Sequence, residues 1–208
     1  MYAYSIQLRP WAYHPFRTLV QTQPTPSAIL DLHFCPQNPS ILCTATSTGT
    51  LDFYWLSTPT SCGHPRISPL TSCHITTSDN LALSFSFHPT VPILAVTLST
   101  GEVIVGQHNI QDTTDPSAKI EMTPSPLPTA LEHSLEAWTS SFSLNRYGIF
   151  SGGDDCVFQY RALTLSNDPD TVISEDYAGT TATWSNRKLH TAGVTAICLL
   201  YTSDAADE

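Results

Sequence analysis

Between Ile29 and Arg161 apolar residues fall on alternate positions in short runs, and Gly, Pro, Asp and Ser gather between the runs. Alternation over a few residues, bounded by turn formers, predicts β-strands joined by tight turns. The clearest case is Leu131–Arg161. Its runs are Glu136–Leu144, Tyr147–Phe150 and Cys156–Arg161, with the turn Gly152-Gly153-Asp154-Asp155 before the last, and they read as an antiparallel meander. Three strands cannot bury their own apolar faces, so such a unit must recur or be covered.

It recurs. Residues 29–56 read ILDLHFCPQNPSILCTATSTGTLDFYWL and residues 81–108 read LALSFSFHPTVPILAVTLSTGEVIVGQH. Leu30, Leu32 and Phe34 correspond to Leu83, Phe85 and Phe87, and Pro36 to Pro89 at the turn that follows. Ile41–Ala45 then matches Ile93–Thr97, and Ser47-Thr48-Gly49 matches Ser99-Thr100-Gly101. In the third copy Trp138 and Phe142 lie 55 residues beyond Leu83 and Phe87, and Asp155 lies 54 beyond Gly101. A fourth copy begins at His190–Ile197, with Val194 placed 56 residues after Trp138.

Three copies and part of a fourth, each with room for a fourth strand, predict an all-β chain folded as a β-propeller. The expectation is three to four blades of a seven-bladed ring over residues 28–197. The inserts Ser57–Ser72 and Asn109–Thr129, polar and Pro-rich, read as surface loops that lengthen the period. Residues 1–27 form an N-terminal segment in which Tyr2–Leu8 reads as a ring-closing strand. The last eleven residues, Cys198–Glu208, start in mid-strand and read as the in-frame translation of a sequencing adapter, a non-native tail on an N-terminal fragment; a genuine acidic tail is the alternative.

Charge and cysteine content narrow the function classes. Eighteen acidic residues against eight basic ones give a formal charge of −10, without the clustered basic patch that phosphate binding needs. An acidic surface favours basic protein partners instead. The six cysteines, at 35, 43, 62, 73, 156 and 198, include no C-x-x-C pair and read as reduced structural thiols. No signal-peptide core, membrane-length apolar stretch or Asn-x-Ser/Thr sequon occurs, so a cytoplasmic or nucleocytoplasmic location is expected.

Among known catalytic signatures, G-x-S-x-G, H-E-x-x-H, the Walker loop and G-x-G-x-x-G are all absent. Groups on separate blades could still assemble a nucleophile, base and orienter. Asp154-Asp155 is the strongest polar cluster. Adjacent carboxylates can poise one another for acid–base work, or Asp can simply cap backbone amides of the turn. Glu136 stands near the mouth of the central channel and suits either a structural or an acid–base role. His133 and His190 precede consecutive inner strands, where an imidazole braces a buried Asp/Ser network or acts as a base. Trp138 reads as core packing or as a ligand contact. His88 reads as a turn residue, and Cys43 and Cys156 lack a histidine that would activate them.

The turn glycine followed by a run ending in Tyr54 or Tyr160, and His190 ahead of Gly193-Val194, resemble WD-repeat blades, although no Trp-Asp dipeptide occurs. More narrowly, His133, Glu136-Ala137-Trp138, Ser151-Gly152-Gly153-Asp154-Asp155 and His190 with Ala192–Ile197 resemble the WD-repeat diphthine methylesterase family, also called diphthine methyltransferase. That resemblance implies a carboxylic-ester hydrolase that demethylates methylated diphthine, a modified histidine of translation elongation factor two, during diphthamide biosynthesis. It implies elongation factor two and other diphthamide-pathway proteins as partners, and no cofactor, metal, nucleic acid or membrane. The catalytic candidates are Glu136, Asp155, His133 and His190, with Trp138 and Asp154 as substrate contacts. A non-catalytic adaptor that presents the propeller to a protein complex is the alternative, since fold alone does not set chemistry.

Overall fold

The computed structural model describes residues 4–7, 22–57, 66–75, 80–110, 119–123, 128–143, 148–163, 184–187 and 190–199. A two-stranded ribbon, β1 (Tyr4–Gln7) with β2 (Thr22–Thr25), precedes three antiparallel sheets. The first blade is β3 (Ile29–Phe34), β4 (Ile41–Thr46), β5 (Thr50–Ser57) and β6 (Arg66–His74), in that order. In the second, β7 (Ala82–Phe87), β8 (Ile93–Leu98) and β9 (Glu102–His108) are followed by an outer strand in two pieces, β10 (Met122–Thr123) and β11 (Thr129–Glu132), both paired to β9. The third is β12 (Ala137–Ser143), β13 (Gly148–Gly153), β14 (Phe158–Ala162) and β15 (Trp184–Asn186). This is a partial β-propeller.

The blades cohere through their faces. Cys43, Ala45, Leu51 and Phe53 of the first blade pack with Phe85, Leu94, Val96 and Leu98 of the second. On its other face the second blade offers Ile93, Ala95, Val103 and Val105 to Ala137, Phe142 and Ile149 of the third. Strand β8 is therefore buried on both sides along its whole length, which is why ILAVTL reads as a continuous apolar run. Each fully buried Leu or Ile contributes about 1.5–3 kcal/mol of transfer free energy. These interfaces hold the fold.

The three inner strands share a register irregularity. It falls between Ile29 and Asp31, between Ala82 and Ser84, and between Ala137 and Thr139. The extra residues at these bulges are Leu30, Leu83 and Trp138. The bulge turns Trp138 out of the core, leaving it 38% exposed, so of its two readings core packing is excluded and a ligand contact is left.

Three expectations are corrected by the register. The turn residue equivalent to Gly101 is Cys156, not Asp155. Gly49, Gly101 and Cys156 all have positive φ, at 69°, 92° and 62°, and each donates its amide to the residue three positions earlier. Asp155 therefore stands at the place of Thr100. Second, the predicted loop Ser57–Ser72 runs into strand β6, since Arg66 onward pairs with β5. Third, Leu131 and Glu132 belong to the outer strand of the second blade, not to the third meander. The apolar row Leu30, Leu32 and Phe34 is open: these side chains are 41%, 47% and 50% exposed, whereas Phe85 and Phe142, facing a preceding blade, are 1% and 3% exposed.

Residues 190–199 form no strand, although they run beside the third blade. Val194 is buried and donates its amide to the Gly153 carbonyl at 2.9 Å. Of the expected ring-closing strand, Tyr4–Gln7 is described, and it pairs within the ribbon. From the C-terminal tail only Cys198 and Leu199 lie among the described residues.

Gly101 is the tightest turn position. A Cβ there would lie 2.3 Å from the His133 carbonyl oxygen and 2.4 Å from that of Leu135, on a backbone already at φ 92°. Those carbonyls belong to the chain leading from the second blade into the third, and Gly101 O accepts the His133 amide at 2.9 Å. Gly101→Ala is expected to cost about 2 kcal/mol, because both strain and overpacking act at one point. A fall in urea midpoint with unchanged slope would show it.

Candidate functional site

The third-blade motifs converge on one end of the propeller. The turn between β13 and β14 exists because Asp154 donates its amide to the Glu136 carbonyl at 2.9 Å and Cys156 donates to Gly153 at 3.3 Å. Equivalent bonds run from Ser47 to Ala28 and from Ser99 to Leu81, so Glu136 occupies the start of an inner strand, as expected. Gly152 and Gly153 let other chains approach. A Cβ on Gly152 would meet Val194 at 2.3 Å, and one on Gly153 would meet the His133 ring at 2.7 Å.

His133 and Asp155 are brought together. The His133 Nδ1–H donates to Asp155 Oδ1 at 2.9 Å, and Nε2 lies 2.9 Å from Ser151 Oγ. The Asp155 carboxylate also accepts the Val157 amide at 3.1 Å and the Ser134 amide at 3.0 Å. Burial alone would raise the Asp155 pKa, but the bonds from His133, Ser134 and Val157 together hold it below the usual carboxylate value.

Ser151, His133 and Asp155 thus stand in the order of nucleophile, base and orienter. Access distinguishes this group from a hydrolase triad. Ser151 is 0% exposed and the His133 side chain is fully buried, so both ring nitrogens are spent on the chain itself. The geometry is that of a brace joining the connection after β11 to β13 and the turn. Ser151 was quoted in the sequence motif but not as a partner of His133. Its strand position, two residues before the Gly-Asp turn, was the available signal.

The other predicted residues are more open. Asp154 is exposed, Glu136 is half-buried, and Trp138 projects from the bulge. His190 is exposed and takes no part in the His133 hydrogen bonds, whose partners are Asp155, Ser151 and Gln159. Gly193 lies against Asp154: a Cβ on it would sit 2.5 Å from Asp154 Oδ1. Glu136, Asp154 and Gly193-Val194 therefore meet at one end of the third blade. Of the remaining candidates, His88 is buried, with Nδ1 accepting the Thr90 and Val91 amides as a turn residue does, and Cys43 is buried with its thiol pushed up by burial.

Sequence reasoning passed over a second histidine–carboxylate pair. Asp31 and His33 alternate with Leu30, Leu32 and Phe34 on β3 and face the second blade. Asp31 Oδ2 accepts Ser84 Oγ–H at 2.7 Å and the Phe85 amide at 3.1 Å, while Oδ1 accepts the Leu32 amide at 2.8 Å. His33 Nε2 lies 3.3 Å from Oδ1. Burial would raise the Asp31 pKa, yet the bonds and attraction from His33, Ser84 and Phe85 lower it overall. An acid and a histidine two apart on an inner strand was the visible signal, hidden by attention to the apolar positions.

A cleft on the first blade, lined by Pro26, Asp52, Tyr54 and Pro69, contains none of the predicted residues. Among the described residues no three His, Cys, Asp or Glu side chains are placed to hold a metal ion. No helix among them is long and apolar enough to cross a membrane.

No protein-family model matches the sequence, and no curated protein matches it. Solved structures do resemble it. Sqt1 of Chaetomium thermophilum, bound to the N-terminus of ribosomal protein L10, aligns over 77% of this chain and 44% of its own, with 15% identity and a TM-score of 0.51. A chain of the mitotic checkpoint complex aligns over 86% of this chain and 44% of its own, with 14% identity and a TM-score of 0.56. These WD-repeat propellers share the fold, and the chain spans less than half the length of either.

Proposed function

We propose that this chain carries blades of a carboxylic-ester hydrolase that removes the methyl group from methylated diphthine on translation elongation factor two. The observation behind this reading is convergence. Glu136-Ala137-Trp138, Ser151–Asp155 and Gly193-Val194, the stretches that resemble diphthine methylesterases, are distant in sequence and meet at one end of the third blade. In this reading Trp138 and Asp154 contact the modified histidine, and Glu136 is the available carboxylate. His133 and Asp155 keep that surface in shape. Protein docking suits an acidic propeller, because electrostatic complementarity steers a basic partner.

Hydrolysis is read by incubating the protein with elongation factor two bearing methylated diphthine and following intact mass. Loss of one CH₂ per factor is the expected result, and Glu136→Gln is expected to slow it without altering the melting temperature. No mass change beside an active control enzyme would remove the reading.

The adaptor alternative has its own observation. Leu30, Leu32 and Phe34 line up exposed along β3, an apolar row that a further blade or a protein partner would cover. Sqt1, of like fold, is seen bound to a ribosomal protein segment. Capture of a stable complex, with no cleavage of model methyl esters, would favour this second reading.

A further inference from the structure

We propose that the cleft on the first blade takes a positively charged side chain, lysine or arginine, from a basic protein segment, with the Asp52 carboxylate as its counter-ion. Such a site is required by neither functional reading above and is compatible with both.

The cleft lies where the outer strand bulges. Between Phe53 and Tyr54 the partner on β6 steps from Thr71 to Pro69, so Leu70 is an extra residue without a partner across the ladder. Pro69 beside it has no N–H to donate. The hollow here, about 280 Å³, is lined by Asp52, Tyr54, Pro69 and Ser72, with Pro26 from the stretch that follows β2. Asp52 and Tyr54 stand two apart on β5 and so share one face. Pockets that enclose a whole small-molecule ligand run to about 300–1,000 Å³, so a hollow of this size suits one inserted side chain.

The blade pattern does not call for a carboxylate at this position. Asp52 stands opposite Thr44, and the same register position holds Ile104 opposite Val96 in the second blade and Gln159 opposite Ser151 in the third. Neither Ile104 nor Gln159 carries charge.

Asp52 is held in place but not used up. Its Oδ1 accepts the Ser72 Oγ–H at 2.5 Å and the Thr50 Oγ1–H at 3.2 Å, one from the neighbouring strand and one from its own. Its Oδ2 takes no hydrogen bond among the described residues, and no lysine, arginine or histidine among them pairs with the carboxylate. The residue is half-buried. A fixed carboxylate with one oxygen free, beside a tyrosine and two prolines, matches a side chain that is apolar along its stem and cationic at its tip. Hydrogen bonds between two charged groups are the strong ones, and a partly buried pair is screened less than an exposed one. With 18 acidic residues against 8 basic ones, the chain also draws basic segments toward it.

The test titrates the chain with acetyl-arginine methylamide and, separately, acetyl-lysine methylamide, followed by amide proton–nitrogen correlation spectra. Saturable shifts centred on Asp52, Thr71 and Ser72 are expected with at least one of them, and the tighter probe tells guanidinium from ammonium. Asp52→Asn has the same shape and can still accept from Ser72 and Thr50. It is expected to weaken binding by about tenfold or more at an unchanged melting temperature. Acetyl-citrulline methylamide, which has nearly the shape of the arginine probe without its charge, is expected not to bind, and that comparison needs no variant. Shifts scattered over the acidic surface, binding that survives Asp52→Asn, equal binding of the citrulline probe, or no saturable shift with either cation would each overturn the assignment.

Discussion

Replacing His133 by alanine is expected to destabilise the chain by about 3–5 kcal/mol, the range for removing one partner from a buried polar pair. The residue is 3% exposed, and its ring joins Asp155 to Ser151 across three segments. Deletion leaves the Ser151 hydroxyl, itself 0% exposed, without its partner, at about 1–3 kcal/mol. Asp155 keeps the Ser134 and Val157 amides but loses the imidazole, and a ring-sized void opens beside Gly153. Against a typical domain stability of about 5–15 kcal/mol, such a loss unfolds a sizeable fraction of molecules. Urea titration should show a lower midpoint at constant slope. A double-mutant cycle with Asp155→Asn should show strong coupling, since the two share one bond. Activity should fall only with the folded fraction. A variant that folds normally yet loses all turnover would instead make His133 part of the chemistry.

The propeller was legible because repeats announce themselves. Leu83, Phe87, Trp138 and Phe142 are spaced by a blade, and the Ser-Thr-Gly turns punctuate it. Exposure was not legible. Phe34 and Phe142 occupy equivalent positions, yet one is 50% exposed and the other 3%, because among the described residues only the latter has a blade packed before it. Alternation reports which side chains share a face, not what covers that face. The exposure of Trp138 was hidden for another reason: a bulge adds one residue, and period-two reasoning cannot see it. At the site, His133 with Asp155 could be anticipated from blade grammar. Asp31 with Ser84 could not, since 53 residues separate them and only the packing of two inner strands joins them.

Between pH 6.5 and 4 the wild-type chain is expected to lose stability that a His108→Leu variant retains. His108 ends β9, is 2% exposed, and leans edge-on toward Phe87 at 5.5 Å. Its Nδ1 accepts the Ile110 amide at 3.4 Å, so the proton sits on Nε2, which finds no acceptor among the described residues. Burial lowers its pKa from 6.5 to about 4. The unfolded chain therefore binds a proton first, and folding stability is complete above about 6.5 and drains as pH falls toward about 4. A shift of that size is worth about 3 kcal/mol. His88, also lowered by burial, adds loss of the same sign in the same window. Asp31 and Asp155 act lower: their pKa values are depressed, so their contribution persists above about 4 and disappears only as pH drops through the folded values. Two windows follow, and the variant separates them. His108→Leu should flatten most of the upper one while leaving the carboxylate-driven loss below it untouched. Parallel stability curves for the two proteins from pH 6.5 to 4 would mean that the buried imidazole is protonated at little cost, through an acceptor for Nε2 supplied from outside the described residues.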